Sequence, residues 1–519
     1  MSCLQTPPTV GAQVLRALTR YPDRIAFVTD QGGITFAHVR DMMGRMQAVL
    51  AGLGLPRGAG VAVLTSNRWE TWCLTMAAQA SALCTTPLHP LGSLEDHLDQ
   101  LADADIRVLV VDAETYAARG AELAAKAAGV RHVLTIGNAG YGVDLMAAAA
   151  AAGATTARDL ARPDDSCVIG YTGGTTGKSK GVWRDHASAA AITNGILADF
   201  ELPQTPRYLA VAPISHVAGT KVIPTLLRGG SVTLMRGFDP ERVLETIEKQ
   251  RVNFTLFVPT MIYVLLDHPR LDRTDLSSLE YVLYGASPMS PTRLEEALER
   301  VGPVFAQLYG QSECYPISVL SKADHDRRRP ELFASCGFPL SSCQVTLLDG
   351  DGEPVPVGEP GEICVRAPQV MGHYWKRPEQ TEEAFRHGWL HTGDVARADE
   401  RGYLYIVDRA KDMIVTGGFN VYPREVEDVL TSHPAVAMAA VIGVPDSKWG
   451  EAVKALVVLR PGADVAEQEL VALVKEKKGG PHAPKSVEFV DQLPVTAVGK
   501  VDKKVLRARY WAGQQRMVG

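Results

Sequence analysis

The sequence predicts an α/β protein with a large N-terminal domain that contains several sheets and a small, mobile C-terminal α+β domain. Three observations lead to this prediction. Residues 1–160 alternate short apolar runs with helical stretches rich in alanine and leucine. After Asp408 the pattern changes to short strands and amphipathic helices. The length of 519 residues also exceeds one ordinary core, because a domain has about 150 residues.

In the large domain, strands are predicted where apolar runs end in loops. They cover residues 60–64, 107–112, 167–171, 208–212 and 279–284, and helices cover residues 117–128 and 186–200. The order around residue 171 is therefore strand, glycine-rich loop, helix. Because α/β sheets bind ligands where strands end, the site is expected to be assembled from several loops.

The C-terminal part is predicted to fold separately. Helices are expected over residues 423–430, 467–477 and 503–511, and strands over 435–444, 455–459 and 486–490. The polar junction before Gly417 and Gly418 favours movement between the two parts. The expected division is residues 1–408 for the N-terminal domain, 409–412 for a hinge, and 413–519 for the mobile domain.

Composition excludes several classes of protein. A net charge of −6 disfavours a nucleic-acid binder, since neutralising phosphates requires a basic surface. The 8 cysteines are scattered, no signal peptide precedes them, and no apolar stretch is long enough to span a membrane. These features predict a cytoplasmic enzyme with reduced thiols. A homodimer is left open.

The segment 171–182, Tyr-Thr-Gly-Gly-Thr-Thr-Gly-Lys-Ser-Lys-Gly-Val, carries the clearest chemical signal. Its glycines, threonines and lysines can surround phosphate oxygens with backbone N–H groups and positive charge. A kinase-type Walker A loop would need glycine where Thr172 stands. The segment therefore predicts a phosphate-binding loop of another kind.

This segment resembles the signature of the adenylate-forming superfamily, which contains acyl-CoA synthetases, firefly luciferase and the adenylation domains of peptide synthetases. Further matching motifs follow in the same order, at residues 284–288, 309–313, 389–394, 405–412, 416–423 and 498–500. The resemblance covers nearly the whole chain and points to the acid–CoA ligase branch. It implies the adenylate-forming enzyme fold and a two-step reaction, in which a carboxylate and ATP give acyl-AMP and pyrophosphate, and CoA then displaces AMP.

The resemblance also implies the residues that bind ATP and Mg²⁺. Those expected at the phosphates are Thr172, Gly173, Gly174, Thr175, Thr176, Gly177 and Lys178. Those expected at the adenosine are Gly285, Ala286, Ser287, Gln307, Leu308, Tyr309, Gly310, Gln311, Ser312, Asp394, Ile406 and Arg409. Tyr309 would stack on adenine, Asp394 would accept the ribose hydroxyls, and Glu313 would hold the magnesium ion.

Catalysis is expected to be electrostatic, because the substrate carboxylate is itself the nucleophile. Lys500 would bridge the attacking carboxylate, the α-phosphate and the ribose, with Thr172, His216 and Glu313 as the other catalytic candidates. Lys411 occupies the hinge position of the family. The pantetheine arm of CoA would pass along Thr416, Gly417, Gly418 and Phe419, where the two glycines leave room for a narrow tunnel.

The acid is predicted to be bulky and hydrophobic. The acyl pocket is expected to be lined by His216, Val217, Ala218, Gly285, Met289, Gly310, Tyr315 and Ile317. Relatives that activate amino acids carry an aspartate where this chain has Ser215 and His216, and acetate-specific relatives close the pocket with tryptophan where it has Gly310. We therefore expect an aromatic, aryl-alkanoic or alicyclic acid, with a medium- or long-chain fatty acid as the alternative.

Two other functions are kept as alternatives. The first is an acyl-AMP ligase that loads a carrier protein; CoA is preferred because no carrier-attachment motif follows Lys500. The second is a catalytically silent acyl-nucleotide sensor. The pair His387 and His391 does not predict a metal site, because Gly388 places it in a turn or strand and no glutamate stands between the histidines.

Overall fold

The fold is that of a computed structural model, which describes residues 6–153, 155–172, 179–287, 289–409, 412–416, 419–446, 449–495 and 501–511. In chain order its strands are β1 (Ile25–Thr29), β2 (Gly32–Thr35), β3 (Gly60–Leu64), β4 (Cys84–Pro87), β5 (Ile106–Asp112), β6 (His132–Ile136), β7 (Val143–Asp144), β8 (Ser166–Tyr171), β9 (Gly181–Asp185), β10 (Arg207–Ala210), β11 (Ser231–Leu234), β12 (Phe254–Phe257), β13 (Tyr281–Gly285), β14 (Phe305–Gln311), β15 (Cys314–Leu320), β16 (Phe338–Pro339), β17 (Gln344–Leu348), β18 (Gly361–Arg366), β19 (His373–Tyr374), β20 (Leu390–Ala398), β21 (Leu404–Arg409), β22 (Ile414–Thr416), β23 (Phe419–Val421), β24 (Val436–Asp446), β25 (Gly450–Leu459) and β26 (Ser486–Phe489). The α-helices are α1 (Val10–Arg20), α2 (Phe36–Gly52), α3 (Trp69–Ala80), α4 (Leu94–Asp103), α5 (Ala113–Lys126), α6 (Leu145–Ala151), α7 (His186–Asp199), α8 (Val222–Leu227), α9 (Pro240–Gln250), α10 (Pro259–Asp267), α11 (Pro291–Arg300), α12 (Pro378–Ala384), α13 (Pro423–Thr431), α14 (Glu467–Lys478) and α15 (Lys503–Ala508).

Two large sheets form the body of the N-terminal part. The nine-stranded sheet has the order β16-β15-β14-β13-β12-β10-β11-β1-β2, and its centre from β11 to β14 is parallel. The eight-stranded sheet has the order β19-β9-β8-β4-β3-β5-β6-β7, with β8 and β9 antiparallel. The mostly parallel strands are covered by helices, as the alternation of apolar runs and helical stretches predicts.

Two smaller sheets follow along the chain. The antiparallel sheet β17-β18-β20-β21 packs around a buried cluster that includes Ile363, Val365 and Leu390. The C-terminal sheet β23-β22-β25-β24, to which β26 pairs in parallel, has a separate core around Val426, Val453 and Leu470. The predicted α/β class with several sheets and a small α+β unit is confirmed.

The strand β9 corrects the predicted order of elements around the phosphate loop. Residues 172–181 were expected to form a loop that leads directly into a helix. Instead the chain first returns beside β8 as β9, with Gly170 opposite Val182, and only then enters α7. The short run Gly181–Asp185 holds one tryptophan and two charged residues, so it lacks a strong strand pattern.

The main hydrophobic core lies between the two large sheets. Val61 and Val108 contribute from the eight-stranded sheet, Phe27 and Phe254 from the nine-stranded sheet, and Leu18 from helix α1. All five side chains are fully buried. Helix α1 begins where Thr9 accepts a hydrogen bond from the amide of Ala12 (3.0 Å). The core thus fixes the two sheets, whose loops carry most of the predicted site.

A buried carboxylate secures one strand end of the eight-stranded sheet. Asp112 is 0% exposed, accepts a hydrogen bond from Ser66 Oγ (2.6 Å) and pairs with Arg68 (3.1 Å). Burial opposes its ionisation, but the Ser66 hydroxyl and the Arg68 charge outweigh burial and lower the pKa of Asp112. Asp112 also caps helix α5 by accepting from the amide of Glu114 (3.2 Å).

We expect Asp112→Ala to lower the free energy of unfolding of the N-terminal part by about 3 kcal/mol, because it leaves the half-buried Arg68 without its buried partner. Glu114→Ala removes an exposed partner of the same arginine and should cost less than about 0.5 kcal/mol. Urea unfolding followed by tryptophan fluorescence measures both. Equal losses in the two variants would contradict the role given to Asp112.

Candidate active site

The predicted phosphate-binding loop connects the two strands of a β-hairpin. The amide of Thr172 donates to the carbonyl of Lys180 (3.0 Å) and closes the base of the loop between β8 and β9. Tyr171, at the end of β8, donates its hydroxyl to Asp103 (2.8 Å). The predicted phosphate ligands Gly173, Gly174, Thr175, Thr176, Gly177 and Lys178 lie outside the described residues.

A chain of contacts joins this hairpin to the predicted magnesium ligand. Lys180 Nζ lies 4.5 Å from the centre of the Tyr374 ring, and the Tyr374 hydroxyl donates to Glu313 Oε1 (2.7 Å). Burial, followed by the charge of Glu313, raises the pKa of Tyr374, so the phenol stays protonated and remains a donor. Sequence reasoning included Lys180 among the lysines of the predicted phosphate loop but did not indicate Tyr374.

Glu313 is suited to a hard cation. It lies in the turn between β14 and β15, and its backbone carbonyl accepts from the amide of Met371 (2.8 Å). Its Oε2 takes no hydrogen bond from any residue that the structure describes. A fixed carboxylate with one oxygen still available fits the oxygen coordination that Mg²⁺ requires.

Two residues predicted to bind the nucleoside contact each other directly. The Tyr309 hydroxyl donates to Asp394 Oδ2 (2.7 Å), and Asp394 is only 6% exposed. Burial and the Asp394 charge raise the pKa of Tyr309 well above its usual range. The amide of Asp394 also donates to Thr392 Oγ1 (3.1 Å), which helps to fix the irregular stretch of β20 that carries the carboxylate.

A network of polar side chains around Glu362 contacts the stretch of β20 that carries Asp394. Glu362 accepts from the amide of Gly393 (2.8 Å) and from Arg386 (2.7 Å), and its Oε2 lies 2.7 Å from His391 Nδ1. Glu362, Cys364 and His391 have ligand atoms within 4.8 Å of one another, a grouping that could hold a metal ion. Because Arg386 and Gly393 already engage the glutamate, we assign the network to positioning Asp394.

The segment Gly285–Ser287 lies at the end of β13, where an adenine ring is expected. A Cβ at position 285 would lie 2.4 Å from the carbonyl oxygen of Leu308 on the neighbouring strand, so only glycine fits there. Ala286 has φ of +68°, a left-handed conformation that costs a non-glycine residue about 1–2 kcal/mol. Such backbone strain concentrates at functional sites.

The remaining residues predicted to bind the nucleotide are described by their burial and by contacts outside this group. Gln307 Oε1 accepts from Tyr284 in the core (3.3 Å), and Leu308 is buried at 3% exposure. Gly310 and Gln311 are half-buried, Ser312 is exposed and Ile406 packs at the rim of a core cluster. Arg409 pairs with Asp394 in the β20–β21 register, and its side chain lies outside what the structure describes.

His216, which is predicted to line the acyl pocket, contacts His89, a residue that the sequence analysis did not indicate. The ring centres of His216 and His89 are 4.6 Å apart at 76°, and Ser215 Oγ lies 2.8 Å from His216 Nδ1. Burial and then the neighbouring His89 lower the pKa of His216 to about 4. His216 is therefore a neutral group at physiological pH.

The predicted lining of the acyl pocket divides into two groups. Tyr315 packs against Gly310, where a Cβ would lie 2.9 Å from its ring, and Tyr315 and Val217 belong to the core cluster between the large sheets. Met289 and Ile317, by contrast, are buried in two other clusters. The acyl pocket lined by all these residues stays a prediction.

The C-terminal part contributes few described site residues. Thr416 is buried at the end of β22, and Phe419 is 58% exposed at the start of β23. The predicted catalytic Lys500, hinge Lys411 and tunnel glycines Gly417 and Gly418 lie outside the described residues.

Comparison with known proteins identifies the family. The sequence profile of AMP-binding enzymes matches residues 14–375, and the profile of their C-terminal domain matches residues 425–500. The chain belongs to the AMP-binding enzyme family. This confirms the predicted adenylate-forming superfamily and its acyl-CoA synthetase branch.

Relatives within the family extend over nearly the whole chain. A medium/long-chain-fatty-acid–CoA ligase of Mycobacterium tuberculosis is 45% identical over 99% of this chain and 92% of its own length. A feruloyl-CoA synthase of Amycolatopsis sp is 38% identical over 96% of this chain and 99% of its own. The amide bond synthetase McbA of Marinactinospora thermotolerans has a TM-score of 0.90 and 36% identity, covering 96% of this chain and 100% of its own.

These matches support an acid–thiol ligase of the acyl-CoA ligase type, for which ATP and CoA are the expected co-substrates. The fold of this AMP-binding enzyme agrees with the solved structures. In the part of the chain that the structure describes, no helix combines the length and the apolar character needed to cross a membrane.

The neutral His216 predicts an acid-sensitive fold. Its ordinary pKa of 6.5 applies to the unfolded chain, and about 4 applies to the folded chain. Between these values only the unfolded chain binds the proton, so the free energy of unfolding falls as pH falls through this window. His216→Gln should reduce the slope between pH 6.5 and 4 by at most about 1.4 kcal/mol per pH unit.

Urea unfolding at several pH values measures this slope. The same replacement at exposed His38 is the matched control for losing a histidine as such. An unchanged slope in His216→Gln would show that this ring is not held neutral by the fold.

Proposed function

We propose that this AMP-binding enzyme is an ATP-dependent carboxylic acid–CoA ligase that acts on a bulky hydrophobic acid, of aromatic, aryl-alkanoic or alicyclic type. The observation that carries the proposal is the arrangement around residues 309–313. At one end Tyr309 contacts Asp394, and at the other Glu313 contacts Tyr374 and, through it, Lys180. One short segment thus carries residues that we assign to the nucleoside and to the phosphates, which supports the proposal.

In the first step, a carboxylate oxygen of the acid attacks the α-phosphorus of ATP. The bond from the α-phosphorus to the bridging oxygen breaks, and pyrophosphate leaves. Negative charge grows on the phosphate oxygens, and preset cations and N–H groups lower the barrier. We assign this role to the hairpin amides, Lys178, Lys180 and Lys500, with Glu313 holding the magnesium ion that neutralises phosphate charge.

In the second step, the CoA thiol attacks the acyl carbon and AMP leaves. We propose that residues 413–519 rotate about the hinge at 409–412, near Lys411, relative to the domain 1–408. This rotation would withdraw Lys500 and bring Thr416 and Phe419 to the path of the pantetheine arm. The exposed Phe419 ring is suited to such a contact.

The size of the acid is inferred from the residues expected to line the acyl pocket around Tyr315. Val217 and Ala218 are small, and Gly310 has no side chain, which lets the Tyr315 ring pack against its backbone. A flat or compact hydrophobic body fits this lining. A medium- or long-chain fatty acid is the second candidate, and the 45% identity to a ligase named for such acids favours it.

A panel of acids tests the proposed function. Pyrophosphate release should be at least tenfold faster with 3-phenylpropanoic, ferulic or cyclohexanecarboxylic acid than with acetic acid, because the small acid leaves apolar lining uncovered. Octanoic and palmitic acids represent the second candidate. A higher rate with these two than with every ring-bearing acid would favour the fatty acid ligase.

The same panel is run with and without CoA. Formation of the CoA thioester, followed by mass spectrometry, is the expected result. Pyrophosphate release without any thioester would favour the alternative that loads a carrier protein, and no release with any acid would favour the silent sensor.

Lys500→Ala should abolish the first half-reaction, with a loss of at least about a hundredfold in pyrophosphate release, because a cation at the α-phosphate is removed. Thioester formation from supplied acyl-AMP and CoA should stay within about threefold of the wild type. Lys504→Ala, a neighbouring lysine on α15, is the matched control. Equal loss of both half-reactions would contradict the role of Lys500.

A further inference from the structure

Lys221 is a fully buried lysine that none of the roles above explains. It is 0% exposed and stands immediately before helix α8. Its Nζ donates to the Tyr315 hydroxyl, to Thr220 Oγ1 (2.9 Å) and, more weakly, to the carbonyl of Val217 (3.4 Å). No carboxylate of the described residues lies within 4.0 Å of it, so its three partners are all neutral oxygens.

The core gains little stability from this residue. Moving an amine out of water without an anionic partner costs several kcal/mol, and an apolar side chain of the same length would avoid that cost. Burial alone lowers the pKa of Lys221 well below its ordinary value, which is the response expected of an uncompensated amine. A residue that costs stability in the core is a candidate for a binding role.

The contacts of Lys221 place it at the acyl pocket. It touches Val217 and Tyr315, two residues expected to line that pocket. The Tyr315 ring packs against Gly310 at its Cδ2 edge and meets Lys221 at its hydroxyl. The ring therefore extends from the nucleotide side, where the reacting carboxylate must lie, to the buried amine.

We propose that Lys221 and Tyr315 form a polar subsite for the far end of the acyl group, which selects acids that carry a hydrogen-bond-accepting oxygen there. The amine already donates to three oxygens, whereas the Tyr315 hydroxyl accepts from Lys221 and keeps its own hydrogen. The phenol can therefore donate to a hydroxyl, carbonyl or carboxylate oxygen of the substrate, while Lys221 fixes its position. The subsite rests on the proposed function, because it narrows the bulky hydrophobic acid to one with a polar end.

A purely structural role makes a different prediction. If Lys221 only ties α8 to β15 through Tyr315, its removal should lower the stability of the fold and affect all acids alike. If it binds substrate, its removal should leave the melting temperature unchanged or raised and should alter the choice between acids. Measuring both quantities on the same variant separates the two roles.

The test compares two acids that differ by one oxygen, 3-(4-hydroxyphenyl)propanoic acid and 3-phenylpropanoic acid. The ratio of their kcat/KM values is measured by pyrophosphate release from the full-length protein at saturating ATP. The wild type should prefer the hydroxylated acid, and Lys221→Met should lower the ratio about tenfold, the effect of one lost hydrogen bond. Octanoic and 8-hydroxyoctanoic acids form a second pair for a chain-shaped substrate.

Two further variants complete the design. Tyr315→Phe removes only the phenol oxygen and should lower the same ratio about three- to tenfold, which keeps the test valid if Lys221→Met does not fold. Lys126→Met, at an exposed position at the end of α5, is the matched control and should keep the wild-type ratio.

Three results would overturn the subsite. They are a wild type without preference for the oxygenated acid of either pair, a Lys221→Met ratio equal to that of the wild type, and a lowered melting temperature with equal loss for both acids. Failure of the wild type to release pyrophosphate with all four acids would contradict the proposed function itself, and the subsite with it.

Discussion

Hydrogen bonds from two tyrosine hydroxyls to carboxylates hold three sheets together at the active site. Tyr309 of the nine-stranded sheet donates to Asp394 of the four-stranded sheet. Tyr374 of the eight-stranded sheet donates to Glu313, in the turn that follows β14. A buried polar group left without its partner costs about 1–3 kcal/mol, so each contact constrains the packing of its sheets. The positions of the predicted nucleotide-binding residues and the packing of the sheets therefore depend on the same few atoms.

Several residues near these contacts add little to the free energy of folding, and we infer that they keep the predicted site in one geometry. The left-handed Ala286 lies at the end of a core strand, and the Glu362 carboxylate accepts from the amide of Gly393 in the irregular stretch of β20 just before Asp394. Lys221 adds an amine to an otherwise apolar region. Each feature is unfavourable or neutral for folding alone, and each lies at or next to a predicted site residue. A large core between the two main sheets makes such costs tolerable.

Most of the fold and the family could be predicted from the sequence, but particular side-chain contacts could not. Apolar runs predicted the central strands because those strands are buried on both faces. The short β9 was missed because Trp183, Arg184 and Asp185 do not form an apolar run. His89 could not be assigned, since it meets His216 only through the fold. The core cluster to which each pocket candidate belongs was equally hidden, since Tyr315 and Ile317, two residues apart, are buried in different clusters.

The hairpin that carries the phosphate loop has an electrostatic consequence. In kinase-type loops the chain runs into a helix, whose N-terminal dipole adds a fixed positive charge behind the phosphates. Here the chain enters strand β9 after the predicted phosphate loop, so we expect lysine side chains such as Lys180 to supply the positive charge instead. Side-chain charges at a surface are screened by dissolved ions far more than a buried helix end is. The affinity for ATP should accordingly weaken with rising ionic strength.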